Sequence, residues 1–419
     1  MNNLNFTSQY RCTKCHQTYS INEDILVCPN CLDEGILDIE YDYRKIKKVM
    51  DKNYFSNNHE LSIWRYLPLL PVDEKYTKDT LRVGWTPLYR SHNLKKKYNV
   101  KALYFKDEGL NPTQSLKDRA SVIACVKALE KNQEIISCSS TGNAASSLAG
   151  NASKLGLKTV IFVPKRAPIG KLTQLMVFGS KLIKVDGDYK AAYNLSKSAI
   201  DHYGWYNRNA AINPNLVEGK KTVALEIAEQ LNFKVPDWVV TSVGDGCTIA
   251  GVYKGFYDLY KLELIDKIPK LLGVQSEGCS PFYDAFHEDR PLEETDENTI
   301  ADSIAVGIPR NPIKGIQAVK KSKGTYVKVS DKEIMDSMKI LGENEGMFAE
   351  PAAAACLAGF INARKENIIN KDNSVAVIIT GNGLKDTKNA LKVIGEPILL
   401  DANLKDLIQY IERGEDKNE

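Results

Sequence analysis

A chain of 419 residues, 43% hydrophobic and 26% charged, is long enough for two or three domains and has the composition of a folded protein with a substantial core. Its 56 basic and 53 acidic residues leave a formal charge of +3, which excludes a polyelectrolyte surface for nucleic acid or membrane and makes any phosphate recognition local. The opening MNNLNFTSQYRC has no apolar signal core and no apolar run is long enough to span a bilayer, so a cytoplasmic location is expected.

The first predicted element is set by cysteines. Nine in a chain of this size do not suggest a disulfide framework, and four of them sit together near the start, which points to metal ligation in a reducing compartment. Cys12, Cys15, Cys28 and Cys31 form two C-x-x-C knuckles in RCTKCHQTYSINEDILVCPNCLDEGIL. Each knuckle turns tightly enough for both sulfurs to reach one ion, so the pair suits a tetrahedral zinc with four thiolates and no open position, a structural site. Short β-prone pieces around Asn-Glu-Asp turn chemistry make a zinc ribbon over residues 8–40. Glu23, Asp24, Asp33 and Glu34 beside the knuckles argue against a nucleic-acid surface.

Residues 41–76 mix charges with Trp64, Tyr66 and LPLLPV, and VGWTPLYRS begins the main body. There β-rich runs (KALYFKD, EIISCSS, KTVIFVP, KLIKVD, DWVVTSVG, KLLGVQS, SVAVIIT) alternate with helical stretches over 120–131, 143–155, 189–203 and 220–231. Strands apolar on both faces alternating with helices predict parallel sheets covered by helices, and the number of units predicts two α/β domains with a cleft between them. The expected division is 8–40 for the ribbon, 41–115 with 221–419 for a larger domain and 116–220 for a smaller one. At the end, Leu404, Leu407, Ile408 and Ile411 recur at helical spacing and predict a packing helix with a frayed tail.

In such folds ligands sit where loops leave the carboxyl ends of strands. NPTQSLKDRAS places Lys117 between a Pro-containing turn and a helix start, where the helix dipole disfavours an ammonium. Two readings compete there: a solvated surface lysine, and a lysine needed as a free amine, for instance as a Schiff base to a cofactor aldehyde. SSTGNAASS opens a helix with small residues and a glycine. GDGCTIAG has two glycines and the Thr248 hydroxyl near a helix start, an anion cradle suited to a phosphate monoester. TGNGLKD again puts a hydroxyl before a glycine turn.

One lysine, one phosphate cradle and a hydroxyl or amide near each end of a ring describe a pyridoxal phosphate site. NPTQSLKDR, SSTGNAASS, GDGCTIAG, ADSIAVGIPR, GMFAEPAAAA and TGNGLKD, in that order and with the cysteine-rich ribbon found in many members, resemble the threonine synthase family. The resemblance implies a tryptophan-synthase-like fold and conversion of O-phosphohomoserine and water to threonine and phosphate. It makes Lys117 the Schiff-base lysine, which once freed would shuttle the α and β protons of the bound amino acid. Asn143 would bond the cofactor's ring oxygen, Gly244, Asp245, Gly246, Cys247 and Thr248 would hold its phosphate, and Thr380 would face the pyridine nitrogen. Ser139, Ser140, Thr141 and Gly142 would hold the substrate's α-carboxylate. The partner is a small amino-acid substrate, and a homodimer is compatible with the family.

Departures bear on the substrate. Where members typically read NPTGSFKDRG, this chain has Gln114, Leu116 and Ala120; Ala144 replaces a hydroxyl after the S-x-G-N motif; and NPNLVEGKKT puts Leu216 where NPxRxEGQKT carries an arginine for the substrate phosphate. Lys171 in GKLTQL and Arg208 in WYNR are the candidate replacements, with Arg166, Lys220 and Lys221 as other cations. If no phosphate anchor exists, a β-elimination or β-replacement enzyme acting on a serine or threonine derivative is the alternative.

Overall fold

Alternating burial along TSQYRC and LDIEY, with Tyr10, Cys12, Leu37, Ile39 and Tyr41 turned inward, builds a small antiparallel sheet from β1 (Thr7–Cys12), β2 (Thr18–Ser20) and β3 (Leu37–Tyr41), in the order β2-β1-β3. The computed structural model describes residues 5–167, 169–187, 189–209, 212–394 and 397–415.

Beyond the ribbon come β4 (Leu88–Arg90), β5 (Ala102–Asp107), β6 (Ile135–Ser139), β7 (Lys158–Pro164), β8 (Lys181–Val185), β9 (Tyr206–Asn207), β10 (Trp238–Ser242), β11 (Lys270–Ser276), β12 (Thr325–Val329) and β13 (Ser374–Ile379). They form a six-stranded sheet, β12-β11-β10-β13-β5-β4, parallel except at the β4 edge, and a four-stranded parallel sheet, β8-β7-β6-β9. The larger sheet is buried on both faces because its strands are apolar at successive positions. Val239 joins Leu271, Ala376 and Ile378 on one side, while Val240 joins Phe105, Leu272 and Val377 on the other. The predicted α/β class with two parallel sheets is thus what the chain forms. TYVKV of β12, short and interrupted by a lysine, was not among the predicted strands.

Five helices carry the rest of the argument: α1 (Lys117–Glu130), α2 (Asn143–Lys154), α3 (Asn215–Gln230), α4 (Cys247–Lys261) and α5 (Pro351–Lys365). Helix α3 starts five residues before the predicted 220, so the expected boundary at 220/221 falls inside one continuous helix. It packs closely on α1, where a Cβ at Gly219 would lie 2.0 Å from the Arg119 carbonyl oxygen.

Two polar networks tie these helices down. In the first, the fully buried Arg119 bridges Glu108 (2.6 Å) and Glu226 (2.5 Å), and Lys106 reaches Glu226 at 2.7 Å. In the second, the ribbon docks on α3 and α4: Tyr41 donates to Glu218 (2.8 Å), Tyr43 to Asp258 (2.6 Å), and Asp38 pairs with Lys254 (2.8 Å) and Lys314 (3.1 Å). The predicted C-terminal helix forms over Leu404–Glu415, but Leu404, Leu407, Ile408 and Ile411 are exposed rather than packed; no described segment covers them. No described helix is long and apolar enough to cross a membrane.

Candidate active site

Four helices begin at one place without a side-chain cap: α1 after Leu116, α2 after Gly142, α4 after Gly246 and α5 after Glu350. The positive ends of their dipoles meet there and suit anionic ligands, although at α1 the first-turn N–H groups of Lys117, Asp118 and Arg119 are already taken by Ser115 and Leu116. Residues at all four starts line a single cleft of about 1120 Å³. Lys117, Ser139, Ser140, Thr141, Gly142, Asn143, Arg208, Gly244, Asp245, Gly246, Cys247, Thr248 and Thr380 all border it. Lys171 does not enter this description, because its side chain lies outside the described residues.

The loop before Lys117 is fastened to the loop after β13. The Leu116 N–H donates to the Thr380 carbonyl (2.9 Å), the Asn382 N–H donates to the Gln114 carbonyl (3.1 Å), and Ser115 bridges Gly381. Gln114 adopts φ of +66°, a left-handed conformation that costs an L-residue roughly 1–2 kcal/mol. The glycine of the family pattern is therefore a backbone requirement that this chain meets with strain. Asp118 accepts from the Thr113 N–H and hydroxyl, both at 2.8 Å, and holds the residue before Gln114 in the turn. Lys117 itself is half-buried, and among the described residues its amine has no hydrogen bond or ion pair. Burial, followed by the nearby Arg208, lowers its pKa.

Opposite lies the glycine loop. Gly246 has φ of +83°, and a Cβ there would come within 2.6 Å of Phe282 and 2.8 Å of the Asn311 carbonyl, so only glycine fits. The Asp245 carboxylate accepts from the Arg310 N–H (3.2 Å). Asn143 donates its amide to both oxygens of Glu350, at 2.8 and 3.0 Å, and burial raises the Glu350 carboxyl's pKa. Arg208, buried at the end of β9, donates through Nε (3.1 Å) and Nη2 (2.9 Å) to the Ser121 hydroxyl.

Two cleft residues, Glu350 and Arg310, were not singled out from the sequence, and Lys220 was named only as one of several other cations. Glu350 is a lone acid before an alanine run, Arg310 ends GIPR and lies 3.9 Å over the Tyr193 ring, and Lys220 sits in a KK pair. Burial in an otherwise apolar helix start was the available signal for the first. Leu216 is sealed among Ala120, Ala124 and Cys138 and does not reach the cleft, whereas Ala144 borders it. Arg166 is exposed, and Lys221 is held in ion pairs with Glu218 and Asp258.

At the ribbon, the sulfurs of Cys12, Cys15, Cys28 and Cys31 lie within 4.8 Å of one another, with Cys15 and Cys28 at 3.7 Å. Tetrahedral zinc with bonds of about 2.3 Å separates its sulfurs by about 3.8 Å, so the four thiols fit such an ion. N–H groups of Lys14 (3.4 Å) and Cys15 (3.5 Å) point at the Cys12 sulfur, and the Tyr19 hydroxyl is 3.0 Å from that of Cys28.

Residues 80–381 match the family described as pyridoxal-phosphate dependent enzyme. The chain is 38% identical over 397 residues to the threonine synthase of Methanocaldococcus jannaschii, covering 94% of this chain and 97% of that one. It is also 38% identical to the threonine synthase of Methanosarcina acetivorans, at 94% and 96% coverage. Among solved structures, processed threonine deaminase isoform 2 from Solanum lycopersicum superposes with a TM-score of 0.64 over 80% of this chain and 94% of that one; at 21% identity that likeness concerns the fold.

Proposed function

The chain belongs to the threonine synthase family of pyridoxal phosphate-dependent enzymes, and from that membership we propose that it converts O-phosphohomoserine and water into threonine and phosphate. The observation that carries this reading is Lys117, an amine without a counter-ion, in the same cleft as a glycine loop whose helix start is free to take a phosphate. The donor set fits the cofactor: an amine for its aldehyde, the Gly244–Thr248 backbone for its phosphate, Asn143 for its ring oxygen and Thr380 for its ring nitrogen. Pyridoxal phosphate supplies an electron sink for charge developing on the carbons of a bound amino acid.

The chain's own residues do the rest. The start of α2, with Ser139, Ser140, Thr141 and Gly142, holds the substrate's α-carboxylate on helix-start N–H groups and hydroxyls. Burial and the nearby Arg208 lower the pKa of Lys117 and so favour its free amine, able to take a proton from one substrate carbon and return it to another. The neutral hydroxyl of Thr380 places no charge against the ring nitrogen. Glu350, shared with Asn143, fixes the amide that orients the ring oxygen. Burial of Arg208 and Lys220 in the cleft wall concentrates positive charge where a phosphate leaving group must sit. Zinc in the four-thiol cluster closes the ribbon. We divide the chain into the ribbon, 8–40, a larger domain of 41–115 and 221–419, and a smaller one of 116–220, with the cleft between the last two.

The alternative, a β-elimination or β-replacement enzyme for serine or threonine derivatives, draws support from Leu216, whose side chain is in the apolar core where the family pattern places the phosphate-binding arginine. One experiment separates the two. Purified enzyme is given O-phosphohomoserine, O-phosphoserine, O-acetylserine, serine or threonine, and phosphate, keto acid and new amino acid are followed together. Equal threonine and phosphate from the first substrate alone supports the reading. Keto acid from serine or threonine, with O-phosphohomoserine untouched, refutes it.

A further inference from the structure

Buried lysines normally come with a carboxylate, and α3 supplies the comparison within two adjacent residues. Lys221 is fully buried and meets Glu218 at 2.5 Å and Asp258 at 2.6 Å. Lys220 is 2% exposed and, among the described residues, has neither a hydrogen bond nor an ion pair. Its ammonium borders the cleft; its Cβ lies 3.0 Å from where a Cβ would stand on Gly251, in the second turn of α4. The groups whose charges it feels are Cys247, Lys117, Arg208 and Asp245, which come from α4, α1, the end of β9 and the glycine loop. Burial and the two cations bring its pKa down to about 8. An ammonium desolvated beside two other cations is costly unless an anion joins it.

The sequence explains why this chain has such a residue. Set against NPxRxEGQKT, NPNLVEGKKT loses an arginine at Leu216 and gains a lysine at Lys220, where the pattern has glutamine. Positions 216 and 220 are four apart on α3, hence on one face of the helix. Leu216 has become core, and Lys220 has taken the cleft. The positive charge is kept and displaced by one turn.

We propose that Lys220, with Arg208 beside it, is this chain's side-chain anchor for a phosphate monoester, in place of the arginine absent at 216. The inference rests on the proposed function for the identity of its ligands, the cofactor and the phosphorylated substrate, which offer the same dianionic group. A charge-assisted bond to such a group corresponds to about ten- to a hundredfold in affinity.

The test compares Lys220→Gln, the residue of the family pattern, and Lys220→Arg with the unaltered enzyme. Three dissociation constants are measured: pyridoxal phosphate and pyridoxal for the enzyme stripped of cofactor, and inorganic phosphate for the holoenzyme, read by cofactor fluorescence. Lys220→Gln should weaken pyridoxal phosphate or inorganic phosphate by about ten- to a hundredfold, leave pyridoxal unchanged, and be rescued by Lys220→Arg. Loss confined to pyridoxal phosphate assigns the anchor to the cofactor; loss confined to inorganic phosphate assigns it to the substrate. In the unaltered enzyme the affected affinity should decline as pH rises through about 8 and Lys220 gives up its proton. Unchanged constants for both phosphates, or equal weakening of pyridoxal, overturn the proposal. These are binding constants, so they remain readable even if O-phosphohomoserine is not turned over. Failure of the proposed function and failure of the anchor are therefore separate results.

Discussion

Replacing Arg119 by methionine tests whether the buried charge network under the Lys117 helix holds the site in place. Arg119 donates to Glu108 at 2.6 and 2.7 Å, to Glu226 at 2.5 and 2.8 Å and to the Thr222 hydroxyl at 2.7 Å. With Lys106 the cluster has two cations and two carboxylates, and all four side chains are fully buried. Methionine fills most of the volume but leaves one uncompensated negative charge. Glu226 keeps Lys106; Glu108 keeps only the Thr86 hydroxyl (2.6 Å) and the Asn111 amide (2.9 Å). Breaking one side of a buried ionic network costs about 3–5 kcal/mol. Pairing Arg119→Met with Glu108→Gln removes the excess charge and should return at least about 2 kcal/mol of that loss, since neutral replacement of a buried pair is far cheaper than orphaning one member. The assay is urea unfolding of the holoenzyme followed by tryptophan fluorescence and cofactor absorbance. Burial alone would raise Glu226, but Arg119 and Lys106 outweigh it and hold the carboxyl down to about 2. Its contribution is therefore complete above the unfolded carboxylate range and disappears as pH falls towards 2. In Arg119→Met that acid-side loss should begin at higher pH. A single-variant loss below about 1 kcal/mol, or a double variant destabilised by the sum of its parts, would refute the network's role.

Lys117→Ala should abolish the visible absorbance of the bound cofactor while leaving the circular dichroism spectrum intact; a remaining borohydride-reducible adduct would mean that another lysine holds the aldehyde. Metal analysis should find one zinc per chain, and Cys28→Ser should loosen the ribbon before it changes the cofactor spectrum; four freely alkylated thiols and no zinc in native protein contradict this. Gln114→Ile, a β-branched residue forced to φ of +66°, should lower stability by about 1–2 kcal/mol, whereas Gln114→Gly should stay within about 0.5 kcal/mol of the original because relief of strain offsets lost chain stiffness. Equal melting temperatures for the two variants would remove strain from the account.

The parallel sheets were legible because β5, β7, β10 and β13 are nearly continuous apolar runs, which need cover on both faces. The cleft was legible at Lys117 and at Gly244 to Thr248 because backbone-level chemistry, a helix start and obligatory glycines, leaves a mark in local sequence. What remained hidden depends on partners far along the chain. Glu218, Lys221 and Glu226 are buried against Tyr41, Asp258 and Arg119, partners that local sequence does not reveal, and α3 starts at Asn215 rather than at the predicted 220. Lys220 and Lys221 were both named as cations, but two adjacent lysines look alike in sequence, and only the fold turns one to a carboxylate pair and the other to the cleft. The exposed face of Leu404–Glu415 shows the converse, since apolar spacing predicts a helix but does not supply a surface to receive it.

The docked ribbon also sets a timetable. Asp38 is made early in synthesis, but one of its cationic partners, Lys314, lies 276 residues later, and Glu218 follows Tyr41 by 177. At roughly 5–20 residues per second the ribbon waits on the order of tens of seconds before the surface that receives it exists. During that interval three short strands and four thiols are all that can hold it, and a sheet this small is marginal by itself. We propose that metal capture on the ribosome would then be the step that keeps Asp38, Tyr41 and Tyr43 arranged for a body not yet built. Ribosome-bound chains halted before residue 314 should already resist thiol alkylation when zinc is supplied, and free reaction of all four thiols at that stage would place metal loading after folding instead.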